Sequence, residues 1–230
     1  MSRLYIIHGW AYSIEPWAST VAALRQHGID VVQLRVPGLT APSDQPWTID
    51  QYVAWLDEQL ADDPEPIVLG HSNGGRIALH YLDQHPGRFR HLILLASSGL
   101  ELHARRLSIK RRVIQTAAKI FAPLKRIPYI KRVIYRLLGG DYNAAPPHMR
   151  ITLQHMLASD KDFSISHIQT PTSILWGEAD RAAPLAIGQE MHAQLPHSTL
   201  RTFASWAHAP YRTHPDELAS AIINEWEKIT

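Results

Sequence analysis

The run Gly70-His71-Ser72-Asn73-Gly74-Gly75 sets one serine among glycines, directly after the apolar run Ile67-Val68-Leu69 and directly before an amphipathic stretch reaching His85. A strand that turns at once into a helix on such small residues lifts the serine hydroxyl above the end of a sheet, the arrangement called a nucleophile elbow. A serine hydroxyl is a weak nucleophile at neutral pH. It needs a general base, and the base needs a carboxylate that fixes its tautomer. The chemistry to look for is therefore covalent acyl transfer.

Both partners are available further along the chain. Asp180 follows the strand-like Thr172 to Trp176 in Trp176-Gly177-Glu178-Ala179-Asp180, and His208 follows the strand-like Thr199 to Phe203 in Ser205-Trp206-Ala207-His208. Each falls on a loop at the same edge of the expected sheet. Competitors remain for both roles: Glu178, Asp141, Asp160 and Asp162 for the acid, and His71, His85, His197 and His214 among the thirteen other histidines for the base. Negative charge that develops on the carbonyl oxygen is best met by fixed backbone N–H groups. Two are expected there, that of Asn73 just after the serine and that of Trp10, where Gly9 lets the loop His8-Gly9-Trp10 come close to the elbow.

Positioning these groups requires a sheet whose strands all end at one edge. Buried strands are expected at Arg3 to His8, Ile29 to Leu34, Ile67 to Leu69, Arg90 to Ala96, Thr172 to Trp176 and Thr199 to Phe203. Helices are expected between them: from Pro16, from the capping-box sequence Thr48-Ile49-Asp50-Gln51, from Gly74 to His85, near Leu185 to Leu195 and from Pro215 to Lys228. Strand and helix alternate, so the fold class is α/β with a parallel sheet covered on both faces. Residues 100–166 interrupt that rhythm with apolar residues at helical spacing only, such as Val113, Ile114, Ala117, Ile120 and Phe121. The expected organisation is a core of residues 1–99 and 167–230 carrying an inserted helical cap of residues 100–166.

Composition narrows the classes further. The 230 residues contain no cysteine, which excludes a thiolate nucleophile, a disulfide framework and Cys-ligated metal clusters. No His-Glu-x-x-His pattern is present, so neither a metal nor another cofactor is expected. No apolar run approaches a membrane span or a signal-peptide core, and a cytoplasmic location is the expectation. The net charge of +2 hides an uneven distribution: eleven Lys or Arg and no acidic residue lie between Leu102 and Gly140, against twelve basic and twenty-one acidic residues elsewhere. A basic cap of this kind suits an acidic carrier protein that delivers its acyl ester, or an anionic lipid surface, as well as a plain solvated face. Nucleic acid is disfavoured, because the few aromatic residues of the segment form no base-stacking pattern.

Taken together, the Gly70-to-Gly75 elbow, the His8-Gly9-Trp10 loop and the order Ser72, Asp180, His208 resemble the α/β-hydrolase superfamily, and within it the HG-loop serine esterases with a helical cap. The loop, the elbow and the Arg-rich cap look similar to pimeloyl-acyl-carrier-protein methyl ester esterases. The resemblance implies Ser72 as nucleophile, His208 as base and then acid, Asp180 as its orienting carboxylate, and Trp10 and Asn73 as oxyanion N–H donors. One departure is Ala207, where glycine commonly precedes the histidine. The superfamily also contains lipases, thioesterases, lactonases and C–C bond hydrolases, and a catalytically silent binding module on the same fold is the non-enzymatic alternative.

Overall fold

The computed structural model describes residues 2–100 and 145–229. Six strands make one sheet: β1 Arg3–Ile7, β2 Asp30–Gln33, β3 Ile67–His71, β4 His91–Leu95, β5 Thr172–Gly177 and β6 Ser198–Phe203. Their order is β2-β1-β3-β4-β5-β6, and every neighbouring pair is parallel. Parallel pairing forces each connection to cross over, and helices make the crossings. The crossing helices are α1 Ala18–Gln26, which a 3-10 turn at Glu15–Trp17 precedes, α2 Ile49–Gln59, α3 Asn73–Gln84, α4 Pro147–Ser159 and α5 Leu185–Gln194, and α6 Pro210–Thr213 and α7 Pro215–Ile229 follow the last strand. Among the described residues no helix is long and apolar enough to cross a membrane.

The central strands are apolar on both sides because helices cover both faces. On β1, Leu4 and Ile6 join Val21 and Leu24 of α1 and Leu218 and Ile222 of α7 in one core layer. Tyr5 and Ile7 face the other way, into the layer built on Tyr52 and Leu56 of α2 and Ile77 and Tyr81 of α3. The same alternation runs through β3 and β4. Helix α2 starts where the capping box predicts: the Thr48 hydroxyl accepts from the Gln51 N–H, and the Gln51 carboxamide oxygen accepts from the Thr48 N–H.

Chain order and sheet order part company at β1. The chain steps from β1 outward to β2, then back across to β3, so the connections leave opposite faces and the C-terminal ends of β1 and β3 form the switch point at which open parallel sheets generally bind ligands. His8-Gly9-Trp10 leaves β1 at that point, and Ser72 leaves β3 beside it. The long interval between β4 and β5 holds the inserted segment. Of it, α4 and the residues returning to β5 are described, while the helices expected around Val113 to Leu138 and the eleven basic residues lie outside the described residues. The short helix α6, directly after His208, carries no periodicity that could announce it.

Candidate active site

Ser72 takes a backbone conformation that its residue type avoids, with φ 50° and ψ −117°. Such a geometry costs on the order of 1–3 kcal/mol and persists only where the surroundings impose it. Here the peptide groups are tied on several sides. The Ser72 N–H donates to the Leu95 carbonyl at 3.1 Å, and the Ser72 carbonyl accepts from the Ser98 N–H at 2.9 Å and the Gly75 N–H at 3.0 Å. Gly74 is required by contact: a Cβ there would lie 2.0 Å from the Ile7 carbonyl oxygen, so the start of α3 rests on the end of β1 with no room for a side chain. Gly9 is just as confined, since its Cβ would fall 2.9 Å from the Ser72 Cβ. The loop carrying Trp10 therefore abuts Ser72.

The loops after β5 and β6 bring two further side chains to this point. His208 Nε2 lies 3.0 Å from Ser72 Oγ, and its Nδ1 lies 2.8 Å from Asp180 Oδ2. A carboxylate can only accept, so Nδ1 carries the proton and Nε2 is left free to accept from the serine hydroxyl. The Asp180 side chain is fully buried. Its other oxygen, Oδ1, accepts from the backbone N–H groups of Ala182 and Ala183 at 2.8 Å each, which fixes the carboxylate before any substrate arrives. Asp180, His208 and Ser72 thus form one hydrogen-bonded line.

Two of the other acids expected as competitors are occupied elsewhere. Glu178 accepts from the Thr202 hydroxyl at 2.9 Å, and Asp160 accepts from Nε and Nη2 along one edge of the Arg76 guanidinium at 2.7 and 2.8 Å. Asp162 lies on the chain returning to β5, and Asp141 lies outside the described residues. Among the histidines, His85 ends α3 and His214 precedes α7.

His71 points away from Ser72 and has a distinct task. Its Nε2–H donates to the His208 carbonyl at 2.8 Å, its ring meets Tyr211 and Trp17 edge-on, and burial together with the nearby His208 pushes its pKa down to about 3. A neutral imidazole therefore braces the loop that carries His208. His8 is neutral for the same reason, because burial lowers its pKa. Its Nδ1–H donates to the Gly9 carbonyl at 2.7 Å, so its Nε2 accepts from the Thr40 hydroxyl at 2.7 Å.

One network is missed by the sequence reading. Positions 73, 76, 80 and 83 form a stripe along α3, and the side chains at 76, 80 and 83 each meet one on the chain returning from the insertion. Arg76 pairs with Asp160, the His80 ring stacks on Phe163 at 3.7 Å, and Asp83 pairs with His167 at 2.8 Å. Arg76 also donates to the Asn73 carboxamide oxygen, linking this face to the residue after Ser72. The i, i+3, i+7 spacing of polar residues on a helix buried from Asn73 to Leu82 was the available signal. Among the described residues, no group of three or more His, Asp or Glu side chains is placed to hold a metal ion.

A hydroxyl at a strained turn, in line with an imidazole and a buried carboxylate, can attack an electrophilic carbonyl and pass its proton to Nε2. Curated relatives include pimeloyl-acyl carrier protein methyl ester esterases from Aromatoleum aromaticum, 24% identical over 95% of this chain and 96% of the relative, and from Aliivibrio salmonicida, 28% identical over 96% and 90%. Among solved structures, an esterase from Thermogutta terrifontis superposes with a TM-score of 0.71 at 18% identity, covering all of this chain and 90% of that one. The alpha/beta hydrolase fold family matches residues 3–215, nearly the whole length, and the chain belongs to that family.

Proposed function

We propose that the protein is a serine hydrolase of carboxylic esters, working through an acyl-enzyme on Ser72. The observation that carries this reading is the line from Asp180 Oδ2 through His208 to Ser72 Oγ, with contacts of 2.8 and 3.0 Å, at a residue held in a strained turn. His208 Nε2 takes the hydroxyl proton as Oγ attacks the ester carbonyl. The imidazolium that results keeps its Nδ1–H on Asp180, whose second oxygen is already held by Ala182 and Ala183. His208 then gives the Nε2 proton to the departing alkoxide, and the alcohol leaves. Water attacks the acyl-enzyme with the same nitrogen as base, releasing the acid and restoring Ser72.

Charge on the carbonyl oxygen in both tetrahedral intermediates is met by the backbone N–H groups of Asn73 and Trp10. Support for the first is its place at the start of α3, where the helix dipole adds positive potential. For the second, support is the contact of Gly9 with Ser72. No cofactor enters this sequence of steps. A finer reading, an acyl ester presented on an acidic carrier protein, is favoured by the names of the curated relatives. It is tested by comparing turnover of one methyl ester free, on its carrier and in anionic vesicles.

The central reading is tested on the purified protein with short p-nitrophenyl esters and a fluorophosphonate probe. The parent hydrolyses the esters and is labelled at Ser72, and Ser72→Ala loses both. Labelling that survives Ser72→Ala, or full activity in that variant, refutes the assignment; a folded parent that neither reacts nor hydrolyses is a binding module instead.

A further inference from the structure

Two buried donors on residues next to the Ser72 turn have no acceptor among the described residues. Among the described residues, five buried side-chain nitrogen or oxygen atoms lack a hydrogen-bond partner, and three of them, Trp10 Nε1, His71 Nδ1 and Asn73 Nδ2, belong to residues that flank Ser72. Buried polar atoms forgo water, so nearly all find a partner, and a local concentration of exceptions calls for a physical cause. His71 Nδ1 is accounted for: it carries no proton, because Nε2–H is used on His208, and it faces Gly9, whose Cβ would lie only 2.8 Å away. The other two are donors only, an indole N–H and a carboxamide NH2.

Asn73 cannot exchange the ends of its carboxamide. Its oxygen accepts from Arg76 Nη1, and Arg76 is itself held by both oxygens of Asp160. Turning the amide over would set its NH2 against the guanidinium N–H groups. The buried ion pair therefore decides that the spare end of Asn73 is the donor end, and the cation on its carbonyl polarises those N–H groups further. The proposed mechanism uses only the backbone N–H groups of Trp10 and Asn73, so both side-chain donors remain unassigned.

We infer that Asn73 Nδ2 and Trp10 Nε1 recognise the acyl group, and that the preferred substrate is an ester whose acyl chain carries an acceptor oxygen, a second carbonyl or a hydroxyl, close to the scissile carbonyl. The inference rests on the reading of Ser72 as nucleophile. A plain alkyl chain would leave both donors dry and unpaired, whereas an acceptor oxygen satisfies them. Sites built around such donors discriminate against the analogue that lacks the acceptor far more strongly than an apolar pocket discriminates by one methylene.

The test compares kcat/KM for ethyl butanoate with that for ethyl 3-oxobutanoate and ethyl 3-hydroxybutanoate, in the parent, in Asn73→Asp and in Trp10→Phe. Asn73→Asp keeps the side-chain shape but replaces the donor by an acceptor, and Trp10→Phe keeps an aromatic ring without the N–H. The parent prefers an acceptor-bearing ester by about tenfold or more, Asn73→Asp loses that preference, and Trp10→Phe loses part of it. Intrinsic ester reactivity cancels when the ratios are compared between proteins. If Asn73→Asp does not fold, the Trp10→Phe ratio decides alone. A parent that is labelled at Ser72 and hydrolyses ethyl butanoate, but whose ratios show no preference or do not change in the folded variants, overturns this inference and leaves the reaction standing. A parent inert towards all three esters and the fluorophosphonate probe overturns the reaction itself, and the inference with it.

Discussion

In the proposed reaction His208 accepts a proton on one nitrogen while holding another proton still on the other. The two nitrogens are separated by their partners: Asp180 can only accept, so it keeps Nδ1 protonated and Nε2 faces Ser72. Asp180→Asn offers an amide that can donate to Nδ1, reversing the tautomer with little change of shape. We expect kcat for ester hydrolysis to fall by roughly 10³–10⁴-fold, with the fold intact by circular dichroism. The backbone of His208 has its own support in the His71 N–H. His71→Phe keeps an aromatic ring in the cluster with Trp17 and Tyr211 and removes only that hydrogen bond. The expected outcome is a kcat lower by about tenfold with KM nearly unchanged, because a small displacement of a general base costs rate before it costs binding. Equal kcat in the variant would show that the loop holds itself.

At the scale of elements, α3 does two things at once. Its first turn supports the elbow, and its polar stripe grips the chain that returns to β5. The Arg76–Asp160 pair is nearly enclosed, with side chains 5% and 13% exposed. Removing one partner strands the other, and Asp160→Ala should lower the unfolding free energy in urea by about 3–5 kcal/mol. Replacing both, as Arg76→Met with Asp160→Leu, should recover most of that loss, since charges taken out of water gain little over well-packed apolar groups. Recovery of stability without recovery of activity would place the value of the pair at Asn73. These elements were also unequally legible. Strands β3 and β5 and the helix after Ser72 could be read directly, because each is a short apolar run or a clear amphipathic stretch beside glycines. The stripe on α3 could not, because its partners lie more than 80 residues away.

At the scale of the whole molecule, burial of histidine couples stability to pH. His71 is pushed to about 3 and His80 to about 4, in both cases chiefly by burial, which disfavours the charged ring. The unfolded chain takes up these protons near the ordinary value of 6.5, while the native state refuses them until much lower pH. Stability is therefore full above pH 6.5 and declines as the pH falls toward 4, with a slope near 1.4 kcal/mol per pH unit for each such group. His80→Phe tests one of them: the ring can still stack on Phe163, and the unpartnered Nε2 is removed. Urea unfolding between pH 4.5 and 7 should show a slope shallower by about one proton. An unchanged slope would mean that His80 ionises in the native state as it does in the unfolded chain.

The sequence by itself determined what is local. Gly70 to Gly75 between an apolar run and an amphipathic stretch specifies a strand, a cramped turn and a helix, because those residues must interact with immediate neighbours. That Ser72, Asp180 and His208 share one edge follows from the alternation of strands and helices, which puts every strand end there. Tertiary structure decided what depends on direction across the fold. Glu178 and Asp180 are two residues apart and chemically alike, yet only the chain path after β5 turns Asp180 to His208 and Glu178 to Thr202. The spare donors of Trp10 and Asn73 likewise exist only once Gly9 rests on Ser72 and Asp160 has reached Arg76. A hydrogen bond needs an atom within about 3 Å and a direction, and over distances of this length in the chain only the packed structure supplies them.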